Sequence, residues 1–375
     1  MKKTITLKRD PSVELARIIG CMIVIGVHTI LGPVVNDSYD RSRVFLSCIL
    51  GDGVAIFWFI AGFFCFRSGY AKMLRRTARN IGIPLAVFTI IAFYLSDWIL
   101  NGATISESIT YTKEDYLNFI KTLLTWNSPY CSHLWYLYTY ILVAMAYPVL
   151  KAFVDYLNED EKTRWKIFII VSMAVLILND ITSNKLCNFS LQSTTAALFP
   201  ASLEVLYGYY LYKNRTYFFK KIYLIIAPAA FIILNYIRMI IQYNRYQSDP
   251  TNNWILFWFS SFGVLCAACV IVFCFSLVNQ LSGMTLKRII CKVASYTLYI
   301  YLIHTHIIAL LGKRAIPDKI TAIFSGALRG AAFDIVYTII IVLSVFMVSL
   351  ACSWIIGIVI NGIKRFFSFI KAIQE

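Results

Sequence analysis

The sequence predicts an all-α polytopic membrane protein with about ten transmembrane helices. Of its 375 residues, 59% are hydrophobic and only 14% charged, with a mean hydropathy of +0.70. A soluble domain of this length carries roughly 25% charged residues. The apolar residues also gather into segments that each reach the ~17 residues needed to cross a bilayer. The net charge of +16, which elsewhere would suggest nucleic acid, sits mostly in short loops between those segments, as the positive-inside rule expects. No nucleic-acid partner is therefore expected.

The chain opens with Lys2, Lys3, Lys8 and Arg9, then Asp10-Pro11-Ser12, an N-cap followed by a first-turn proline. The helix that follows is too long for a signal-peptide h-region, so no cleavable leader is expected. Spans are predicted near 13–33, 44–66, 80–100, 133–153, 165–181, 197–213, 220–242, 253–279, 291–312 and 333–363. With the N-terminus inside, the inner segments hold 23 Lys and Arg and the outer ones 11. That bias places both termini in the cytoplasm. The longest outer loop is expected at 101–132, and the whole chain, 1–375, reads as one membrane domain without a fused soluble unit.

In the first span, Arg17 and His28 bracket ten apolar or small residues, RIIGCMIVIGVH. Eleven steps of ~100° bring both side chains to one helix face, roughly 16 Å apart along the axis at ~1.5 Å per residue. Glu14 precedes Arg17 by one turn, is placed to pair with it, and lies near the same face. An ionisable residue at such depth is costly and by default a functional hypothesis. The structural reading is that Arg17 snorkels to the interface and His28 is a satisfied interior histidine. The functional reading is that a neutral imidazole, with its reference pKa of about 6.5, takes a proton from an attacking hydroxyl.

Other constellations follow in order. Arg67, Lys72, Arg75, Arg76 and Arg79 form a cytoplasmic run that reads alone as topology and contact with anionic lipid. Were a nucleotide-bearing donor implied, the same cations could hold its phosphates. His133, Trp135 and Tyr136 open the fourth span as an interfacial aromatic belt or as a surface on which a sugar stacks. Glu204, four residues after Pro200, is the deepest-looking acid among Asp52, Asp97, Asp180, Glu204 and Asp334. His304 reads either as an interior hydrogen-bond partner or as a pocket wall. His306 lies roughly 200° around the helix from it, so the two do not form a metal pair. Cys266 and Cys269 are a CxxC in spelling only, and no metal site is expected.

Taken in order, these blocks resemble the acyltransferase-3 family of bacterial integral membrane acyltransferases, and the likeness covers nearly the whole chain. It rests on Glu14-Leu-Ala-Arg17 with His28, on Gly53 to Phe64, and on the basic run ending in Arg79 and Pro84. It continues through His133-Leu-Trp135-Tyr136, Leu206-Tyr-Gly208 and Leu298 to His304. The resemblance implies that His28 is the acyl-transfer histidine and Arg17 its companion, with Glu14 beside it. It implies acetyl-CoA or another acyl-CoA as cytoplasmic donor, and with a donor so implied Lys72, Arg75, Arg76 and Arg79 are expected to hold its phosphates. It further implies a cell-surface or lipid-linked glycan acceptor, and His133, Trp135, Tyr136, Glu204 and His304 are the residues expected to meet it. A homo-oligomer or an extracytoplasmic partner is compatible with this reading.

Two positions depart from the family pattern. Ala55 stands where many relatives have Asp, which leaves that role vacant or shifted to Asp52, and Ala61 stands where serine is common. The competing expectation from another class is a transporter or flippase for a polar metabolite or lipid-linked sugar.

Overall fold

A computed structural model describes residues 9–29, 34–35, 38–96, 111–125, 132–182, 198–248, 260–326 and 328–374. The described chain is helical apart from a two-residue antiparallel ladder that pairs Val34 with Tyr39 and Val35 with Ser38. In chain order the helices are α1 (Pro11–Thr29), α2 (Arg41–Ile49), α3 (Gly53–Cys65), α4 (Tyr70–Thr77), α5 (Ile83–Ser96) and α6 (Lys113–Thr125). They continue with α7 (Trp135–Met145), α8 (Tyr147–Glu159), α9 (Glu161–Thr182), α10 (Leu198–Lys213) and α11 (Tyr223–Ser248). The last are α12 (Ser261–Gln280), α13 (Met284–Ala294), α14 (Thr297–Lys313), α15 (Ile316–Phe324) and α16 (Gly330–Gln374).

The predicted start of α1 is as expected. Asp10 Oδ1 accepts from the Ser12 amide at 3.0 Å and from its hydroxyl at 2.6 Å, and Pro11 takes the first helical position. The segment 101–132, expected as loop, contains α6. Thr112 and Asp115 cap that helix reciprocally, with Thr112 N and Oγ1 at 2.8 and 2.6 Å from Asp115 Oδ2. These bonds hold the exposed Asp115 carboxyl below its usual range.

Among the described residues six helices are long and apolar enough to cross a membrane, and eight if each of two bent pairs is one span. About ten were expected. The pairs are α7 with α8, bent by 64°, and α13 with α14, bent by 56°. Pro148 at the start of α8 explains the first bend, since it offers no amide to the preceding turn. Two predicted segments fall outside the count. α9 opens with Glu161, Lys162, Arg164 and Lys166, and α10 has only 16 residues. Around the periphery Ile83, Val87, Ile170, Ile225, Ile233, Ile339 and Trp354 are exposed. Apolar surface of that extent suits lipid rather than water.

α3 lies at the centre, against α1, α10 and α12. Without a hydrophobic force between helices in lipid, close packing of small residues is what holds them. A Cβ on Gly62 would lie 2.0 Å from the Val205 carbonyl oxygen, and one on Gly208 would lie 2.1 Å from that of Phe59. Towards α1, a Cβ on Gly53 would meet the Gly20 oxygen at 2.8 Å. Backbones therefore touch on two sides of α3.

Between α2 and α3 the chain breaks at Gly51-Asp52-Gly53, and Asp52 pairs there with Arg238 of α11. Arg238 is fully buried and also donates to the Cys48 carbonyl at 3.2 Å. Its place is inside the bundle, because a fully buried guanidinium requires a paired anion.

Gly62→Val should destabilise the protein by more than about 3 kcal/mol, read as thermal melting in detergent. Gly82→Ala, where a Cβ meets nothing within 4 Å, should stay within about 1 kcal/mol of the parent. Arg238→Met alone should cost about 3–5 kcal/mol by stranding Asp52, and adding Asp52→Leu should recover most of it.

Candidate functional site

His28 is presented by the last turn of α1 into a cavity of about 70 Å³. Val24, Val27 and His28 form its α1 wall, and Gly51 to Ala55, at the break before α3, form the next. His133, Trp135, Glu204 and Tyr301 complete it. Glu204 is only 2% exposed, and its Oε2 has no hydrogen-bond partner among the described residues. A buried acceptor left unmade is costly, and this one belongs to the cavity lining. Asp52 supplies a second carboxylate there, already tied to Arg238. The acidic role vacant at Ala55 thus has a neighbour on the same wall.

Histidines from three parts of the chain converge. The rings of His28 and His304 are 5.1 Å apart between centroids, those of His133 and His304 are 5.1 Å apart, and those of His28 and His133 are 6.3 Å apart. His133 belongs to a short 3₁₀ turn, Ser132–Leu134, that leads into α7. That turn is clamped onto α14: His133 Nε2 lies 3.2 Å from the Leu302 carbonyl, and the Tyr301 hydroxyl donates to the His133 carbonyl at 2.5 Å. A short turn leaves backbone groups without intrahelical partners, and α14 satisfies the His133 carbonyl here. His306, expected to point elsewhere, packs edge-on against Phe88 at 5.5 Å and stands 6.3 Å from His133. Among the described residues no group of three His, Cys, Asp or Glu has the geometry of a metal site.

The inner part of the α1 stripe is a separate cluster. Arg17 Nη1 donates to Glu14 Oε2 at 2.7 Å, Arg9 lies 3.5 Å from the same oxygen, and the guanidinium of Arg17 stands 5.9 Å from the Phe64 ring centre. Glu14 is only 2% exposed, so this is a buried acid paired as expected. Neither Glu14 nor Arg17 reaches the His28 cavity. Between the two clusters lie Phe57, Tyr136 and Tyr301, three rings 5.8 to 6.2 Å from one another. Tyr136 also packs on Trp58 at 4.5 Å. Tyr136 packs on Tyr301, which lines the cavity, without lining it itself. His304 adjoins His28 at 5.1 Å between ring centres and is likewise not part of the lining.

The basic run lies on α4 and the π-helical turn that follows it. Lys72, Arg75, Arg76 and Arg79 are exposed while Met73 and Thr77 are buried, so the cations share the open side of an amphipathic helix. Arg67 is engaged differently, 4.8 Å from the Phe64 ring centre and 4.6 Å from that of Tyr212. Sequence reading found His28, His133, Trp135 and Glu204 one at a time. It did not find that Asp52, Arg238 and Tyr301 share their neighbourhood. The Gly51-Asp52-Gly53 break was the available signal, since glycines flanking an acid inside an apolar run mark an interrupted helix.

No curated protein and no solved structure matches this chain. A family model described as an acyltransferase domain matches residues 10–358, which takes in α1, the histidine cluster, the basic run and most of α16. The chain belongs to the acyltransferase-3 family, and it is a membrane acyltransferase by that membership.

Proposed function

We propose that the protein is an O-acyltransferase, and most simply an O-acetyltransferase. It would move an acyl group from acyl-CoA on the cytoplasmic side to a hydroxyl of a cell-surface polysaccharide or lipid-linked glycan. The observation that carries this is the meeting of His28, His133, Trp135 and Glu204 around one cavity in a chain of this family. His28 takes the proton of the acceptor hydroxyl as its oxygen attacks the thioester carbon. Arg17, oriented by Glu14, attends the donor on its way along α1. Trp135 offers a face for a sugar ring, His133 stands beside it, and the unpartnered Glu204 oxygen receives a sugar hydroxyl.

The four exposed cations Lys72, Arg75, Arg76 and Arg79 suit the phosphates of coenzyme A, for which arginine forks are well shaped. A cavity of about 70 Å³ is smaller than the ~150 Å³ void that admits benzene, which favours an acetyl group over a long chain. The two-to-one bias of Lys and Arg supports a plasma membrane location with both termini in the cytoplasm.

Purified protein in detergent, given acetyl-CoA and candidate glycans, should release free thiol and esterified glycan. Flux through liposomes without thiol release would point to a transporter instead. His28→Ala should insert normally and lose about 10²- to 10⁴-fold of the transfer rate. Arg17→Lys should also be impaired, because a compact ammonium does not replace a planar fork. Full activity in His28→Ala would overturn the assignment.

A further inference from the structure

His304 is fully buried, and its Nδ1 lies 2.7 Å from the Tyr301 carbonyl oxygen. A carbonyl can only accept, so Nδ1 carries the proton and the neutral ring presents Nε2 as a bare lone pair. That Nε2 is buried and has no hydrogen-bond partner among the described residues. Two imidazoles adjoin it, His28 and His133, each 5.1 Å away between ring centres.

His133 is not free to be the donor. Its Nε2 faces the Leu302 carbonyl at 3.2 Å and must therefore carry the proton there, which leaves Nδ1 as the acceptor facing the Thr305 hydroxyl at 3.3 Å. Both His133 nitrogens are thus committed, and His28 is the imidazole left to serve the lone pair. The spacing suits that bond. An N–H···N contact of about 2.9 Å, with each nitrogen about 1.1 Å from its own ring centre, places two imidazole centres about 5.1 Å apart. The rings are now tilted by 52°, so a rotation of the half-buried His28 ring closes the bond.

We propose that His304 is the positioning residue for His28: its Nε2 accepts the His28 ring N–H, and the other His28 nitrogen is thereby held as a lone pair towards the cavity. This rests on the acyl-transfer reading above and adds to it the group that sets the base. In the step itself the acceptor oxygen bonds to the thioester carbon, and its proton passes to the cavity-facing nitrogen of His28. The hydrogen bond to His304 steadies the imidazolium. The tetrahedral adduct then collapses, the carbon–sulfur bond breaks, and His28 returns the proton to the departing thiolate. An ester and a free thiol result, with no net proton gained or lost.

Two substitutions separate this role from simple packing. His304→Asn keeps a donor near the Nδ1 position for the Tyr301 carbonyl and removes the acceptor at Nε2. His304→Gln places an amide oxygen near the Nε2 position. Both should insert and elute like the parent in fluorescence-detected gel filtration. In the thiol-release assay His304→Asn should lower kcat by at least about tenfold, part of the 10²–10⁴ that a general base supplies, with the KM for acetyl-CoA unchanged. His304→Gln should restore most of that loss.

Equal kcat in parent and Asn variant, equal impairment of both variants, or a loss confined to KM would overturn the proposal while the acyl-transfer reading stands. A parent protein that releases no thiol would overturn the reading itself, and this inference with it.

Discussion

Backbone contact along α3 is the constraint on which the rest of the molecule depends. Where Gly62 meets Val205 and Gly208 meets Phe59, there is no room for a single carbon. The contact with α1 at Gly53 and Gly20 is nearly as close. In lipid, such packing is among the few forces that bring helices together. The same contacts set the position of the cavity, because its walls are the end of α1, the start of α3 and the Glu204 turn of α10. Loosening α3 would therefore move His28, Asp52 and Glu204 relative to one another before it moved anything else.

The Asp52–Arg238 pair works at the same place by other means. A buried pair of this kind contributes little net stability, yet removing either partner alone is expensive. Its value here is positional: it ties α11 to the break between α2 and α3, and it keeps a paired carboxyl group in the lining that it shares with His28, His133 and Glu204. Glu204 on the far wall has no such partner. The two acids thus present different faces to anything that enters, one already neutralised and one open.

Much of this could be read from the residues in order. The N-cap at Asp10, the shared face of Arg17 and His28, the pairing of Glu14 with Arg17 and the apolar segments all follow from local periodicity and helix geometry. What could not be read is what depends on tertiary approach. Nothing near His133 or His304 signals that both rings close on His28. Nothing in the sequence pairs Arg238 with Asp52, which lies 186 residues earlier. About ten spans were expected, and six to eight are found among the described residues. Hydropathy sees continuous apolar sequence through Tyr147-Pro148 and Ser295-Tyr296, whereas the chain turns by 64° and 56° near those points. The glycines at 62 and 208 are visible as letters, but their importance lies in the carbonyl each one faces.

The stripe on α1 has one further consequence. Its two clusters belong to a single unbroken helix, and the inner one stands about 16 Å from the outer at ~1.5 Å per residue. On the proposed reading, the flexible pantetheine arm of the donor can bridge that interval, so the acyl group travels from the inner cluster to His28 as freight on its own tether. Transfer would then need no rocking of domains and no coupling to an ion gradient. The thermodynamic drive would come from the thioester alone, and the protein's part would be to let the arm past the rings of Phe57, Tyr136 and Tyr301.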